Sequence, residues 1–429
     1  MFPPCGWWKR LKSNVFHDLD MNQDGDGGSD NGGRDIFATN SDIFENRDLL
    51  KVGYVPGLDQ IVGREEQIQS VGQSIGSATV GDSPDTLLIY GKTGCGKSLV
   101  ARAVTREAKQ RAAENGYNFE YSYIDCSEYR TETKASRQIA REIKRSIGDP
   151  DLNIPRAGLS ASDYRDMVWE MMFDYDIDSF VVILDEIDML KDENLIRSLS
   201  RAEESGKTDG YVSLIGISNK LNYREQLDPR TDSSFRDQEI VFDPYDANRL
   251  RDILYSREEA FVDGALSESV IPKIAALAGR DHGDARKAVD TLYEAGRSAE
   301  AKNADQVNER HVDEAIEEAE IKRMQKLVSG HPTHGRYLLR SLALLTKNHE
   351  QEKNQFKTSE IYDFYKQICK KEGSDPLSLN RARRHLKEQA FLELTEIEHA
   401  SEGREGAFLL HRLMAEPEIM IEGLDRANH

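Results

Sequence analysis

The stretch "GKTGCGKS", Gly91 to Ser98, places glycines, a lysine and a hydroxyl at every fixed position of G-x-x-x-x-G-K-[ST]. That spacing suits one task, the cradling of phosphate. Backbone N–H groups from Gly91, Lys92, Thr93, Gly94, Cys95 and Gly96 can wrap the oxygens, Lys97 can reach the β and γ phosphates, and Ser98 offers a hydroxyl to Mg²⁺. A second set of oxygens stands in "VVILDEID", Val181 to Asp188. Its apolar run delivers Asp185, which can hold Mg²⁺ through water, and Glu186, which can orient or deprotonate an attacking water. Together they describe one ATP site. Asn219 in "LIGISNK" is placed for an amide to reach the γ-phosphate or the water. Arg286 in "GDARKAVD" follows the candidate N-cap Asp284 into a first helical turn, where its guanidinium can fork onto phosphate oxygens.

Such groups converge only if strands carry them to a common edge. "TLLIYG", "YSYID", "FVVILDE" and "VSLIGIS" alternate with helical stretches, which predicts an α/β fold with a parallel sheet covered on both faces. After Pro244 strand signals fade, and helices are expected to about Ser329. A third region, His331 to about Leu424, begins helical and ends in two short β-like runs around a Gly-containing loop.

The 429 residues carry 77 acidic and 57 basic side chains, a formal net charge of −20. A surface of that sign repels phosphate backbones and stays hydrated, as in proteins adapted to high salt. The imbalance is uneven. Residues 331 to 429 hold 15 Lys or Arg against 16 Asp or Glu, leaving −19 for the first 330. Cys5, Cys95, Cys126 and Cys369 have neither metal-ligand spacing nor the number for a disulfide framework, so four free thiols in a reducing cytoplasm are expected. No apolar run approaches a membrane span, and "MFPPCGWWKR" lacks a secretory apolar region. From Asp18 to Asp35 the chain is mostly Gly, Asp and Asn, a composition that predicts disorder. "DMNQDG" resembles the start of a calcium loop, but Asn31 stands where a bidentate Glu is needed, and Met21 rivals Met1 as a start.

The loop motif, the Asp-Glu strand end, the Asn and the lid Arg, in that order, resemble the AAA+ ATPases. "YVPGLDQIVGREEQI", "LDPRTDSSFRDQEIVFDPY" and "GDARKAVD" narrow the resemblance to archaeal origin-recognition and Cdc6-type replication initiators, over about Phe44 to Leu424. The resemblance implies an acidic tail (1–43), an AAA+ core (44–245), a helical lid (246–329) and a winged helix (330–424). It implies a slow ATPase switch with ATP or ADP and Mg²⁺. Asn219 and Arg286 become its sensors. Two positions depart from the family pattern: Lys220 stands where an Asp is usual, and "TDSSF" where "VKSSL" is common. Arg230 and Arg236 both remain candidates for a trans-acting arginine finger.

Two cationic stretches are candidate DNA contacts. "SEYRTETKASRQIAREIKRSIG" spaces Arg130, Lys134, Arg137, Arg141, Lys144 and Arg145 along one helical face, with Ala135, Ile139, Ile143 and Ile147 opposite. The family carries a DNA-touching insertion here, and either this helix or the following "SASDYRDMVWEMM" could be it. "LSLNRARRHLKEQAFL" resembles a recognition helix: Leu379, Ala382, Leu386 and Ala390 are expected inward, with Arg381, Arg384 and Lys387 outward and Arg383 among them. Arg404 is then the wing residue, flanked by Glu402 and Glu405. The implied partners are origin duplex DNA, the replicative helicase and further copies on DNA, with no membrane. Rival expectations are a branch-migration helicase and a DNA-binding regulator holding ADP without turnover.

Overall fold

The computed structural model describes residues 43–235, 238–349, 353–402 and 406–427. The acidic tail with Cys5 and its calcium-like stretch, Arg236 and Arg404 lie outside the described residues.

The sheet expected from the alternating pattern is present, with strands β1 (Leu87–Gly91), β2 (Phe119–Asp125), β3 (Ser179–Asp185), β4 (Tyr211–Ser218) and β5 (Glu239–Phe242). All neighbours are parallel, in the order β2-β3-β4-β1-β5. Alternate side chains feed two separate cores. Leu88, Phe180, Val182, Leu184 and Leu214 point into one, while Leu87, Ile89, Val181, Ile183 and Ile215 point into the other. Helices α1 (Glu65–Ile75) and α2 (Lys97–Glu114) cover the second face. The first is covered by α3 (Glu132–Ile147), α4 (Ala161–Asp174) and α5 (Asn194–Ser200). A single turn, α6 (Pro229–Asp232), precedes the edge strand β5, which the sequence pattern did not reveal.

Beyond the sheet, α7 (Ala247–Tyr255), α8 (Val270–Arg280), α9 (Ala285–Ala301) and α10 (Glu309–Ser329) form a helical body. The first described turn packs there: Phe44 stacks 5.0 Å from Phe261, and Ile43 and Leu50 are buried in the same cluster. Helix α10 serves two cores. Val312 and Ala315 belong to the helical body, while Ile321, Met324 and Val328 are buried with the C-terminal region.

That region contains α11 (Thr333–Asn348), β6 (Phe356–Lys357), α12 (Thr358–Lys371), α13 (Leu379–Phe391), β7 (Thr395–Glu402), β8 (Gly406–Leu413) and α14 (Pro417–Arg426). Its antiparallel sheet runs β6-β8-β7, so two expected β runs are joined by a third strand, and the region ends in a helix. The two residues of β6 are too few to show a period. Their pairing with His411 and Leu410 makes them a strand.

Candidate functional site

The register of the sheet brings the predicted groups into a row. Tyr90 pairs with Ser218 and Asp185 with Ile217, so the ends of β1, β4 and β3 lie level and present the phosphate loop, Asn219 and Asp185 side by side. Gly94 and Gly96 adopt φ of 77° and 89°, and a Cβ on Gly94 would fall 1.8 Å from Asp284 Oδ1. Glycine is therefore required sterically as well as conformationally, because the helical body closes onto the loop there. Asp284 caps α9 by accepting from Lys287 N, and Ala285 N donates to Gly94 O at 3.1 Å. Arg286 follows in the first turn and lines the same cavity.

Thr93, Gly94, Gly96, Lys97, Ser98, Asp185, Glu186, Asn219 and Arg286 surround that cavity of about 360 Å³. Gly91, Lys92 and Cys95 complete the loop behind them. Lys97 is buried and donates to Gly91 O (2.7 Å), Lys92 O (2.8 Å) and Asn219 Oδ1 (2.9 Å). Burial lowers its pKa below that of an ordinary lysine. Cys95 Sγ donates to Lys92 O at 2.8 Å, and burial pushes its thiol pKa up, so this cysteine is a packed, protonated part of the loop. Cys126 and Cys369 are also buried free thiols. Glu186 takes φ 51°, a left-handed conformation rare for a side-chain-bearing residue.

Several neighbours were given no role by the sequence. Arg64, 1% exposed, donates from Nε to Cys95 O (3.0 Å) and from a terminal nitrogen to Asp243 O (2.5 Å), with its guanidinium 3.8 Å over the Tyr245 ring. It props the phosphate loop from behind. Its partners lie 31 and 179 residues away, beyond any local spacing rule. Arg102, one turn past Ser98 on α2, and Tyr123 on β2 join the wall. Arg257, whose pKa burial lowers, lies over Tyr54 at 5.0 Å, and Val55, Val62, Ile253 and Val289 add apolar lining to the same cavity. Lys51, Lys97, Arg102, Arg257 and Arg286 face the cavity against two carboxylates, Asp185 and Glu186. This surplus of cations together with apolar lining matches a polyphosphate attached to a flat heterocycle.

The donor set also fits Mg²⁺. Ser98 and Asp185 are hard oxygen donors on one cavity, and among the described residues no group of three or more His, Cys, Asp or Glu could hold a metal unaided. Magnesium characteristically combines one or two protein oxygens with phosphates and waters. The departure at Lys220 has a partner: its Nζ lies 3.2 Å from Asp188, whose other oxygen accepts from Ser218 Oγ at 2.8 Å. The loops after β3 and β4 are thus tied together beside Asn219.

The two cationic stretches fare differently. Thr131 caps α3, so Arg130 precedes the helix instead of joining its face, and its Nε donates to Ser127 O. Arg137 and Lys144 donate to the carbonyls of Arg156 and Leu152, while Arg145 pairs with Glu142. Lys134 and Arg141 remain on the face with no ion pair among the described residues, opposite buried Ala135, Ile139 and Ile143. On α4 the exposed face carries Asp163, Asp166, Glu170 and Asp174, and its Arg165 pairs with Glu132 on α3 at 2.6 Å.

On α13, Ala382 and Leu386 are fully buried, and Arg381, Arg383, Arg384 and Lys387 are all exposed. The inward face needs a correction. Gln389 is buried where Ala390 was expected, donating to Gly335 O at 2.8 Å, whereas Leu379 and Ala390 are half-buried. The reason is α11, which packs along α13 and offers a carbonyl there. Arg230 is exposed on α6.

A parallel sheet with a phosphate loop on β1, a helical lid closing over it and a winged helix carried on α10 define an AAA+ ATPase fused to a winged-helix domain. Residues 82–222 match the AAA domain, 251–317 the Cdc6 AAA+ ATPase-type lid domain and 326–423 the CDC6 C-terminal winged helix domain. ORC1-type DNA replication protein 4 of Halobacterium salinarum is 44% identical over 388 residues, covering 90% of this chain and 93% of its own. An ORC1-type DNA replication protein of Thermococcus kodakarensis is 35% identical, covering 90% and 91%. The chain resembles the Aeropyrum pernix ORC1 protein solved in complex with DNA, with TM-score 0.66 and 32% identity over 90% of this chain and 97% of that one. The chain belongs to the ORC1-type DNA replication proteins. Among the described residues no helix is long and apolar enough to cross a membrane.

Proposed function

We propose that this protein is an ATP-regulated replication initiator that binds duplex DNA at an origin and, in its ATP state, recruits or helps load the replicative helicase in the cytoplasm. The nucleotide sits between core (44–245) and lid (246–329), and the winged helix (330–424) holds the duplex. Mg²⁺, held by Ser98 and Asp185, would neutralise charge on the β and γ phosphates. Lys97 exchanges the carbonyls of Gly91 and Lys92 for phosphate oxygens, and Asn219, already its partner, senses the outermost phosphate. Glu186 orients the attacking water, and Arg286 reports the same phosphate to the lid. Arg230 is the described candidate for a finger acting on a neighbouring copy. Slow turnover suits a switch.

The observation that carries the DNA part is the exposed set Arg381, Arg383, Arg384 and Lys387, opposite a buried face, on a winged helix of near-neutral charge in a strongly acidic chain. Lys134 and Arg141 make α3 the second contact, and the acidic outer face of α4 argues against that helix. The relative from Aeropyrum pernix was solved with DNA, which supports the same assignment. Replacing Arg381, Arg384 and Lys387 together with Ala is expected to weaken duplex binding and to lower the slope of log affinity against log salt by about 2–3, since each phosphate contact adds about 0.9. A fluorescence-anisotropy salt titration that returns an unchanged slope removes α13 from the interface.

A further inference from the structure

We infer that Tyr123 is the positioning residue for Asp185, holding this carboxylate in the orientation that receives the divalent cation of a bound nucleotide. The inference rests on the nucleotide-site reading and extends it to a residue on a different strand from either motif.

Asp185 stands at the very end of β3, and its two oxygens are held by different groups. Oδ1 accepts from Glu186 N at 3.0 Å, a contact within its own turn. Oδ2 accepts from the Tyr123 hydroxyl at 2.6 Å. No other side chain among the described residues donates a hydrogen bond to it. The sheet register makes this contact: Asp125 pairs with Asp185, and Tyr123, two residues earlier, shares that strand face and reaches along it. The ring is pinned in turn, with the Arg102 guanidinium 4.8 Å from its centroid. Arg102 lies one helical turn beyond Ser98, so hydroxyl, guanidinium, phenol and carboxylate share one wall of the cavity.

The phenol is the donor in this pair, since a carboxylate oxygen can only accept. A carboxylate with one lone pair engaged by a fixed donor keeps its remaining lone pairs directed at the cavity. Without that donor it can rotate about χ2, a broad torsion with little intrinsic preference. Outer partners of metal-holding groups commonly govern about 10–100-fold of metal affinity.

The test is calorimetric titration of the full chain with ADP, with and without MgCl₂, comparing the gain in affinity that magnesium confers. Tyr123→Phe keeps the ring under Arg102 and removes only the hydroxyl. It is expected to cut the magnesium-dependent gain about tenfold while changing the metal-free affinity far less. In an Asp185→Asn background the same substitution should produce no further loss of that gain, because the tyrosine acts through the carboxylate. A full magnesium gain in Tyr123→Phe, or an equal additional loss in the Asp185→Asn background, overturns the inference and leaves the nucleotide site standing. Loss of metal-free ADP binding in Tyr123→Phe also overturns it, marking a merely structural tyrosine. If the unaltered protein binds no ADP under either condition, the nucleotide-site reading fails and this inference with it.

Discussion

The Lys97 ammonium is buried, its pKa is depressed by desolvation, and three oxygen acceptors surround it. A cation kept in such a place is stabilised further by an incoming polyanion, because a charge-assisted hydrogen bond contributes about 1.5–3 kcal/mol. Two such bonds make Lys97→Ala lose about 100-fold or more in ADP affinity by calorimetry. An unchanged constant would place the phosphates elsewhere. At this scale the motif residues were legible because Gly91 to Ser98 and Asp185-Glu186 each lie within a few bonds of one another. Arg64, Tyr123 and Arg257 were not, since each meets its partner only after long stretches of chain have folded between them.

Among the elements, the strand β8 carries an unusual core residue. His411 pairs across to Phe356 on one side and Ile397 on the other, shares a hydrogen bond with Thr358 Oγ1 through Nε2 at 2.9 Å, and has no partner for Nδ1 among the described residues. At 1% exposure, burial pushes its pKa down to about 4. An unfolded histidine titrates near 6.5, so between these values the unfolded chain binds more protons and folding loses stability as pH falls. The contribution is complete above about pH 6.5 and declines by up to about 3 kcal/mol toward pH 4. His411→Gln should flatten that part of the pH dependence. Thermal unfolding of both proteins at pH 7.5 and pH 5 measures it, and parallel curves would refute it. The elements themselves were readable where a period repeats several times, as in α3 and α13. Four-residue β5 and two-residue β6 offered no period. Gln389 took a core position because α11 supplies an acceptor, which no pattern on α13 could show.

For the whole molecule, a formal charge of −20 sets the response to salt. Self-repulsion is screened as the Debye length shrinks from about 10 Å at 0.1 M to about 3 Å at 1 M. The thermal midpoint should therefore rise by about 5 °C or more between 0.1 M and 2 M KCl, followed by circular dichroism. A flat or falling midpoint would show that local pairing already compensates the acidic surface. Helix α10 gives the molecule a second global property. Its 21 residues run about 30 Å and place Val312 in the lid core and Val328 in the winged-helix core, with Glu318 bonded to Arg426 at 2.6 Å between them. The lid and the domain carrying the cationic helix thereby share one continuous helix.

The order of residues along the chain was enough for whatever depends on neighbours within a turn or a loop: the phosphate cradle, the acidic pair, the cap at Asp284 and the cationic face of α13. Tertiary structure decided the rest. It set β4 between β1 and β3, so that Asn219 meets Lys97. It gave Lys220 to Asp188 and Tyr123 to Asp185, and it spent Arg137 and Lys144 of α3 on loop carbonyls. The physical reason is that a local contact is specified by spacing alone, whereas a distant one is specified by strand order and register, which emerge only when the whole core packs.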